Sequence, residues 1–220
     1  SFEHSFEMVR KTLDGMMYGG IYDQIGGGFA RYSTDGKWLV PHFEKMLYDN
    51  AQLVEVYTTG FQVFGDPRYG RIVRQTLEYV EREMTHPEGA FYSTQNAESE
   101  GEEGKYYVWD YDEFVETAGE DGKAVAEGKN ILHVPIPLEE FCEQTGRDPA
   151  DFQEILWQAV PDLLTRREQR IQPERDEKIL TDWNGLMISA YARAAFVLGS
   201  ETYRERAVSA LEFLLEYSVE

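Results

Sequence analysis

The stretch GGIYDQIGGGFARYSTDGKWLVPHFEKMLYDN, residues 19–50, contains the change of pattern that decides the fold. Its first half is rich in glycine and aromatic residues, and Phe29, Arg31 and Tyr32 follow a triple glycine with the two-residue alternation of a strand. From Phe43 onwards, apolar residues recur three or four positions apart, which is the spacing of a helix. The stretch therefore predicts a short β-ribbon that leads into a long helix.

Four long helices are predicted, in two pairs. The first pair covers Phe43–Phe61, which ends before Gly65-Asp66-Pro67, and Tyr69 to about Met84. The second pair covers Trp183–Leu198 and Glu201–Tyr217, with a Gly-Ser step between them. Two helices joined by so short a break form an αα-hairpin.

The segment between the two hairpins contains a second predicted ribbon. Tyr106–Trp109 follows two glycines and is predicted as a strand. Trp38, Trp109 and Trp183 each lie near the start of a helix, so the order of elements repeats about every 70 residues. Asp121–Asn130 is rich in glycine and lysine and has little periodicity, which predicts either a mobile loop or a place where residues are skipped.

This order of elements predicts an all-α fold, namely an (α/α) toroid of helical hairpins with short β-ribbons in the connections. Three repeats are too few to close a ring of six hairpins. We therefore expect residues 1–220 to form part of one toroid domain, an incomplete (α/α)6 barrel.

Composition limits the partners and the compartment. The formal net charge of -20 disfavours nucleic acid and anionic membrane surfaces as partners. Cys142 is the single cysteine, so neither an internal disulfide nor a cysteine zinc site is expected. No apolar run approaches the roughly 20 residues of a spanning helix, and Ser1–His4 does not begin a signal peptide. We expect a cytoplasmic protein without a metal or cofactor.

Three blocks, residues 19–49, 99–109 and 176–186, resemble the thioredoxin-domain-containing proteins related to spermatogenesis-associated protein 20. The resemblance extends over nearly the whole chain. It implies a six-hairpin toroid of the N-acylglucosamine 2-epimerase and glycosidase type, with a sugar as its small-molecule ligand. It also implies a thioredoxin-like domain of the same protein as a partner, and that domain is absent from these 220 residues.

One departure from the family pattern precedes the second block. Asn96 and Glu98 stand where the family pattern has acidic Asp residues. This departure disfavours a catalytic carboxylate on the second ribbon.

His42, Glu44 and Asp49 form the leading candidate for catalysis. Pro41 suits the first turn of a helix, which places His42 and Glu44 at a helix N-terminus. An imidazole is suited to removing and returning the proton of a carbon next to a carbonyl, which is the reaction that a sugar 2-epimerase requires. Glu44 or Asp49 would orient the imidazole. The alternative is structural: His42 donates to a carbonyl and holds the ribbon on the helix.

Asp182, Trp183 and Asn184 form the second candidate. Asp182 is assigned to the catalytic set, although capping the following helix is a sufficient role for it. Trp183 offers an aromatic face that stacks on a sugar ring, and Asn184 adds a polar group for binding. Core packing is the alternative for Trp183.

A third group of predicted ligand-binding residues, Tyr22, Asp23, Arg31 and Tyr32, belongs to the first ribbon. It is expected to face the same cavity. Arg31 is suited to binding a carboxylate or phosphate of a ligand, and a buried ion pair with Asp23 or Glu44 is the alternative.

Two hypotheses for function follow. The first is a carbohydrate-active enzyme, an epimerase, isomerase or glycosidase, whose catalytic residues are His42, Glu44, Asp49 and Asp182. The second is a non-catalytic module that binds a ligand or a protein segment on behalf of the thioredoxin-like domain. The toroid and its shared cavity require the ribbons that start near Tyr22 and Tyr92 to lie at the same end of the helices as Asp182.

Overall fold

The structure is a computed structural model that describes residues 2–118 and 129–217. Its helices are α1 Phe2–Tyr18, α2 Leu47–Phe64, α3 Pro67–Glu83, α4 Tyr111–Ala118, α5 Leu138–Thr145, α6 Pro149–Arg167, α7 Thr181–Leu198 and α8 Glu201–Tyr217. Its strands have two residues each: β1 Tyr32–Ser33, β2 Pro41–His42, β3 Lys45–Met46, β4 Thr94–Gln95, β5 Glu98–Ser99, β6 Glu102–Glu103, β7 Trp109–Asp110, β8 Lys129–Asn130 and β9 Arg175–Asp176. The all-α prediction is confirmed. Most of the predicted loop at Asp121–Asn130, residues 121–128, lies outside the described residues.

The two predicted hairpins are confirmed as α2–α3 and α7–α8. Gly65 and Gly199 end the first helix of each pair in the left-handed conformation, with φ of 63° and 66°. Glycine adopts this conformation without steric cost, and its N–H donates back to a carbonyl of the last turn. In the first hairpin, the Asp66 side chain then caps α3 by accepting from the backbone N–H of Arg68, so the chain reverses within two residues.

Helices α2 and α7 lie side by side and run parallel. Tyr48 contacts Trp183 where both helices begin, and Glu55 accepts a hydrogen bond from Ser189 farther along. Helix α3 packs on α2, and α8 packs on α7. Two parallel helices, each with an antiparallel partner, form an arc of an (α/α) toroid.

An asparagine clamp repeats in the first turn of α2 and α7. Asn50 accepts from the N–H of Phe29 at 2.8 Å and donates to the Phe29 carbonyl at 3.1 Å. Asn184 makes the same two bonds to Phe91, at 2.8 and 2.9 Å. Each clamp is buried, and each fixes the ribbon that precedes its helix.

A tyrosine seven residues after each asparagine completes the repeat. Tyr57 stacks on the clamped phenylalanine of its own ribbon and donates to the carbonyl of Leu13 in α1 at 2.7 Å. Tyr191 stacks on Phe91, the clamped phenylalanine of the second unit, and donates to the carbonyl of Leu77 in α3 at 3.1 Å. The repeating unit is therefore helix, ribbon and helix.

The three-stranded sheet β3-β4-β9 joins the connections of both units. Lys45 lies opposite Gln95, and Gln95 lies opposite Arg175, in antiparallel register. These strands precede α2, follow α3 and precede α7. Both ribbons thus lie at the end of the helices that carries Asp182, as expected from the sequence.

Two local predictions are wrong. Pro41 and His42 belong to strand β2, and α2 begins only at Leu47, because residues 45–46 pair with β4 instead of entering the helix. Tyr106–Tyr107 forms a turn, because the N–H groups of Tyr107 and the next residue both donate to the carbonyl of Gly104. Trp109 does begin a strand, as predicted.

Asn184→Ala should lower the free energy of unfolding by about 1–3 kcal/mol, because it leaves the backbone N–H and carbonyl of Phe91 buried without a partner. Asn50→Ala should cost a similar amount, since it opens the equivalent clamp on Phe29. Urea denaturation of both variants measures the effect. A neutral result for either would contradict the clamp's role.

No helix within residues 2–118 and 129–217 combines the length and apolar character needed to cross a membrane.

Candidate functional site

His42 lies between the two ribbons and contacts both. Its Nδ1 is 2.7 Å from Oε1 of Glu103 on strand β6, and its ring stacks on Tyr32 of strand β1 with centroids 5.1 Å apart. The same carboxylate oxygen accepts the backbone N–H of Phe43 at 3.3 Å. We call His42, Glu103, Glu44, Arg31 and Asp49 the His42 cluster.

Glu103 reaches His42 because the β5–β6 hairpin is anchored on the first ribbon. Glu100 and Gly101 both have positive φ at its turn, 54° and 78°. Gly104 also has a positive φ, 75°, and a Cβ added to it would lie 2.5 Å from the ring of Phe43. Only glycine allows this close approach, which sets Glu103 against the histidine.

Glu44 lies on the other side of His42. Its Oε2 is 3.7 Å from Nε2 of His42 and 3.1 Å from Nη1 of Arg31. The structure therefore pairs Arg31 with Glu44, one of the two partners expected. The pair is partly exposed and not buried, with 44% of the Arg31 side chain accessible.

Asp49 is the half-buried carboxyl group of the cluster. Its Oδ2 is buried and has no hydrogen-bond partner among the described residues. Burial raises the pKa of Asp49 to about 6, with a further contribution from the Glu44 charge and an opposing one from Arg31. This carboxyl group therefore exchanges protons close to neutral pH.

An aromatic pair borders the cluster where α2 and α7 begin. Tyr48 lies beside Arg31 and packs against Trp183 in a T-shaped arrangement, with ring centroids 4.7 Å apart. Both rings are partly exposed. Such faces bind the apolar side of a sugar ring.

Asp182 lies next to this pair without a described contact to the His42 cluster. The expected cap is not formed, because Leu180 is the N-cap residue of α7 and makes no side-chain cap bond. Asp182 is instead in the first turn, exposed, and accepts the N–H of Trp183 at 3.0 Å. A carboxylate there is favoured by the helix dipole.

Three other predicted binding residues point into the protein. Tyr22 is buried and donates to Gln75 at 2.8 Å, and Asn184 is occupied in its clamp. Asp23 lies in a buried ion cluster with Arg167 and Lys45. The first ribbon thus presents Arg31 and Tyr32 outward and buries Tyr22 and Asp23.

The Asp23 ion cluster fastens α6 to the glycine-rich loop. Arg167 binds both carboxylate oxygens at 2.8 Å, and Lys45 Nζ binds Oδ2 at 2.9 Å. Burial alone would raise the pKa of Asp23, but the two cations outweigh it and hold that pKa below its ordinary value. Burial also lowers the pKa of Lys45 to about 8, despite Asp23.

Among the residues that the structure describes, no group of three or more His, Cys, Asp or Glu side chains has an arrangement that could hold a metal ion. A partly open cavity of about 30 Å³ is lined by Asp23, Lys45 and Arg167 together with neighbouring side chains that include Phe43 and Tyr107. That volume suits one water molecule.

Asp49→Asn should raise the melting temperature at about pH 7.5 and leave it nearly unchanged at about pH 3.5. The folded state binds a proton at Asp49 more tightly than the unfolded state does, so wild-type stability falls as pH rises from 3.8 to about 6. Asparagine removes that loss. Scanning calorimetry across this range measures it, and a lower melting temperature at the higher pH would contradict the assignment.

No family model matches the chain. Among individual proteins, it is 36% identical to spermatogenesis-associated protein 20 of Homo sapiens and of Mus musculus over 245 residues. Each alignment covers 94% of this chain and 31% of the relative. The chain thus spans about a third of the length of the curated relatives that it matches.

Solved structures of sugar-converting enzymes are more distant. A sugar epimerase from a ruminal bacterium has a TM-score of 0.37 and 15% identity, covering 94% of this chain and 54% of that one. Cellobiose 2-epimerase from Spirochaeta thermophila DSM 6192 has a TM-score of 0.33 and 15% identity, covering 97% and 55%. D-mannose isomerase has a TM-score of 0.34 and 11% identity, covering 93% and 49%.

Proposed function

This chain is homologous to a region of spermatogenesis-associated protein 20, and from that premise we propose that it carries a carbohydrate-active acid/base site at the His42 cluster. The main support is the half-buried Asp49 carboxyl, whose pKa is raised to about 6 in the same cluster as an imidazole. Groups that exchange protons near the working pH are the most effective general acids and bases.

The chemistry that suits this pair is proton transfer on a sugar carbon next to a carbonyl. His42 accepts the proton from that carbon, while the protonated Asp49 donates one to the carbonyl oxygen, which gives a neutral enediol. Protonated His42 then returns the proton to the other face of the same carbon once the enediol has rotated, and ionised Asp49 takes back the hydroxyl proton, which gives the epimer. Return of the proton from His42 to the former carbonyl carbon, with the proton of the neighbouring hydroxyl passing to Asp49, gives the isomer.

The surroundings favour an uncharged sugar. The only arginine of the His42 cluster, Arg31, is already paired with Glu44, and Glu103 and Asp49 add two further carboxyl groups. An anionic sugar would meet net negative charge there. The Tyr48–Trp183 pair provides the face on which a ring stacks.

A second function, a non-catalytic binding module serving a thioredoxin-like domain, is supported by a different observation. Tyr32 and Val40 on the first ribbon are 49% and 41% exposed beside His42. Exposed aromatic and apolar side chains of this kind are typical of contacts with a protein segment.

Proton exchange with solvent separates the two functions. The protein is incubated in D₂O with glucose, mannose, fructose, N-acetylglucosamine or cellobiose, and deuterium next to the carbonyl carbon is followed by proton NMR. The proposed enzyme incorporates deuterium into at least one sugar, and Asp49→Asn abolishes the incorporation. Binding without exchange would favour the non-catalytic module, and exchange unaffected by Asp49→Asn would remove Asp49 from the mechanism.

A further inference from the structure

We infer that Glu103 is a positioning residue for the proposed reaction, because it holds His42 in the tautomer that is protonated at Nδ1 and leaves Nε2 as the proton acceptor. The inference rests on the proposed function of the same site. It adds a residue from the second ribbon to a site otherwise built from the first ribbon and α2.

The hydrogen-bonding capacity of a carboxylate decides the direction of the bond. Ionised Glu103 has only acceptor atoms, so the 2.7 Å contact requires Nδ1 of His42 to donate. The Oε1 atom also accepts from the N–H of Phe43, which fixes the carboxylate on the backbone next to the histidine. The bond made by one ring nitrogen sets the state of the other.

The second ring nitrogen remains available to a ligand. Glu44 Oε2 is 3.7 Å from Nε2, which is longer than a hydrogen bond. Tyr32 stacks on the ring and limits its rotation. An imidazole held on one face and at Nδ1 presents Nε2 in a fixed direction.

The backbone around Glu103 is held by strand pairing and by aromatic packing. Glu103 lies opposite Glu98 in the β5–β6 register. Phe43 fills the space over Gly104 and stacks on Tyr107 with ring centroids 5.5 Å apart. These contacts place Glu103 at hydrogen-bond distance from His42, although the two residues are 61 positions apart in the sequence.

The test measures the tautomer directly. The ¹⁵N shifts of His42, recorded at alkaline pH where the ring is neutral, distinguish protonation at Nδ1 from protonation at Nε2. We expect Nδ1–H in the wild type and in Glu103→Gln, whose amide oxygen still accepts, and a shift towards Nε2–H in Glu103→Ala. Glu98→Ala, on the facing strand of the same hairpin, is the matched control and should leave the tautomer unchanged.

Two outcomes would overturn the inference: Nε2–H in the wild type, or the same tautomer in the wild type and in Glu103→Ala. Where a sugar substrate is found, Glu103→Ala should also lower kcat on the order of 10-fold or more with little change in KM. Absence of deuterium exchange with every sugar would defeat the proposed function while leaving the tautomer result readable. The two failures are therefore distinguishable.

Discussion

Asp23→Asn should lower the free energy of unfolding by about 3–5 kcal/mol, the cost of removing one partner from a buried ion pair. The substitution preserves shape but leaves Arg167 and Lys45, both 3% exposed, without a compensating anion. It should also loosen α6, which Arg167 ties to the glycine-rich loop.

Chemical denaturation at neutral pH measures this loss, with Asp176→Asn as a matched control. Asp176 also pairs with a lysine, Lys178, but its carboxylate is 43% exposed, so solvent screens the pair and its replacement should cost far less than that of Asp23. The pKa of Asp23 is lowered in the folded state, so its contribution is present above the unfolded value of 3.8 and is lost as pH falls below it. Equal losses in the two variants would refute the buried cluster.

His42→Gln should reduce deuterium exchange into a sugar substrate by about 10²–10⁴-fold, the usual contribution of a general base. A glutamine amide can still donate to Glu103, but it cannot accept a proton near neutral pH. Since the Glu103 carboxylate is 47% exposed, water can solvate it and the melting temperature should change little.

His86→Gln is the control for this substitution. His86 accepts the N–H of Glu88 and contacts the rings of Tyr92 and Phe213, so it belongs to a different cluster. Exchange should be unaffected there. A His42→Gln protein with full turnover and a lowered melting temperature would leave His42 with a structural role only.

The helical hairpins are predictable from sequence because their determinants are local. Gly65 and Gly199 stop two helices in left-handed conformations, and the apolar spacing on either side marks the buried faces. Helix α6 shows the limit of this approach. Pro161 lies inside it, and a proline is normally a signal that a helix ends.

The site is less predictable, because long-range pairing assembles it. His42 was expected at a helix N-terminus, but pairing of β3 with β4 delays the helix to Leu47. Glu44 was one of the two partners predicted for Arg31 from the sequence, and the structure shows that pair. Glu103 was missed because it is 61 residues from His42, and the only local sign is a glycine-rich hairpin. The partner of Asp23, Arg167, is 144 residues away and was equally hidden.

The central claim is that the His42 cluster binds a sugar and moves its protons, and a crystal structure of the protein soaked with the sugar that shows exchange tests it most directly. We predict the open-chain form of the sugar packed against Trp183 and Tyr48, with its carbonyl oxygen within hydrogen-bond distance of Asp49 and the neighbouring carbon facing Nε2 of His42. A sugar bound elsewhere, with Asp49 and His42 free of contact to it, would contradict the account.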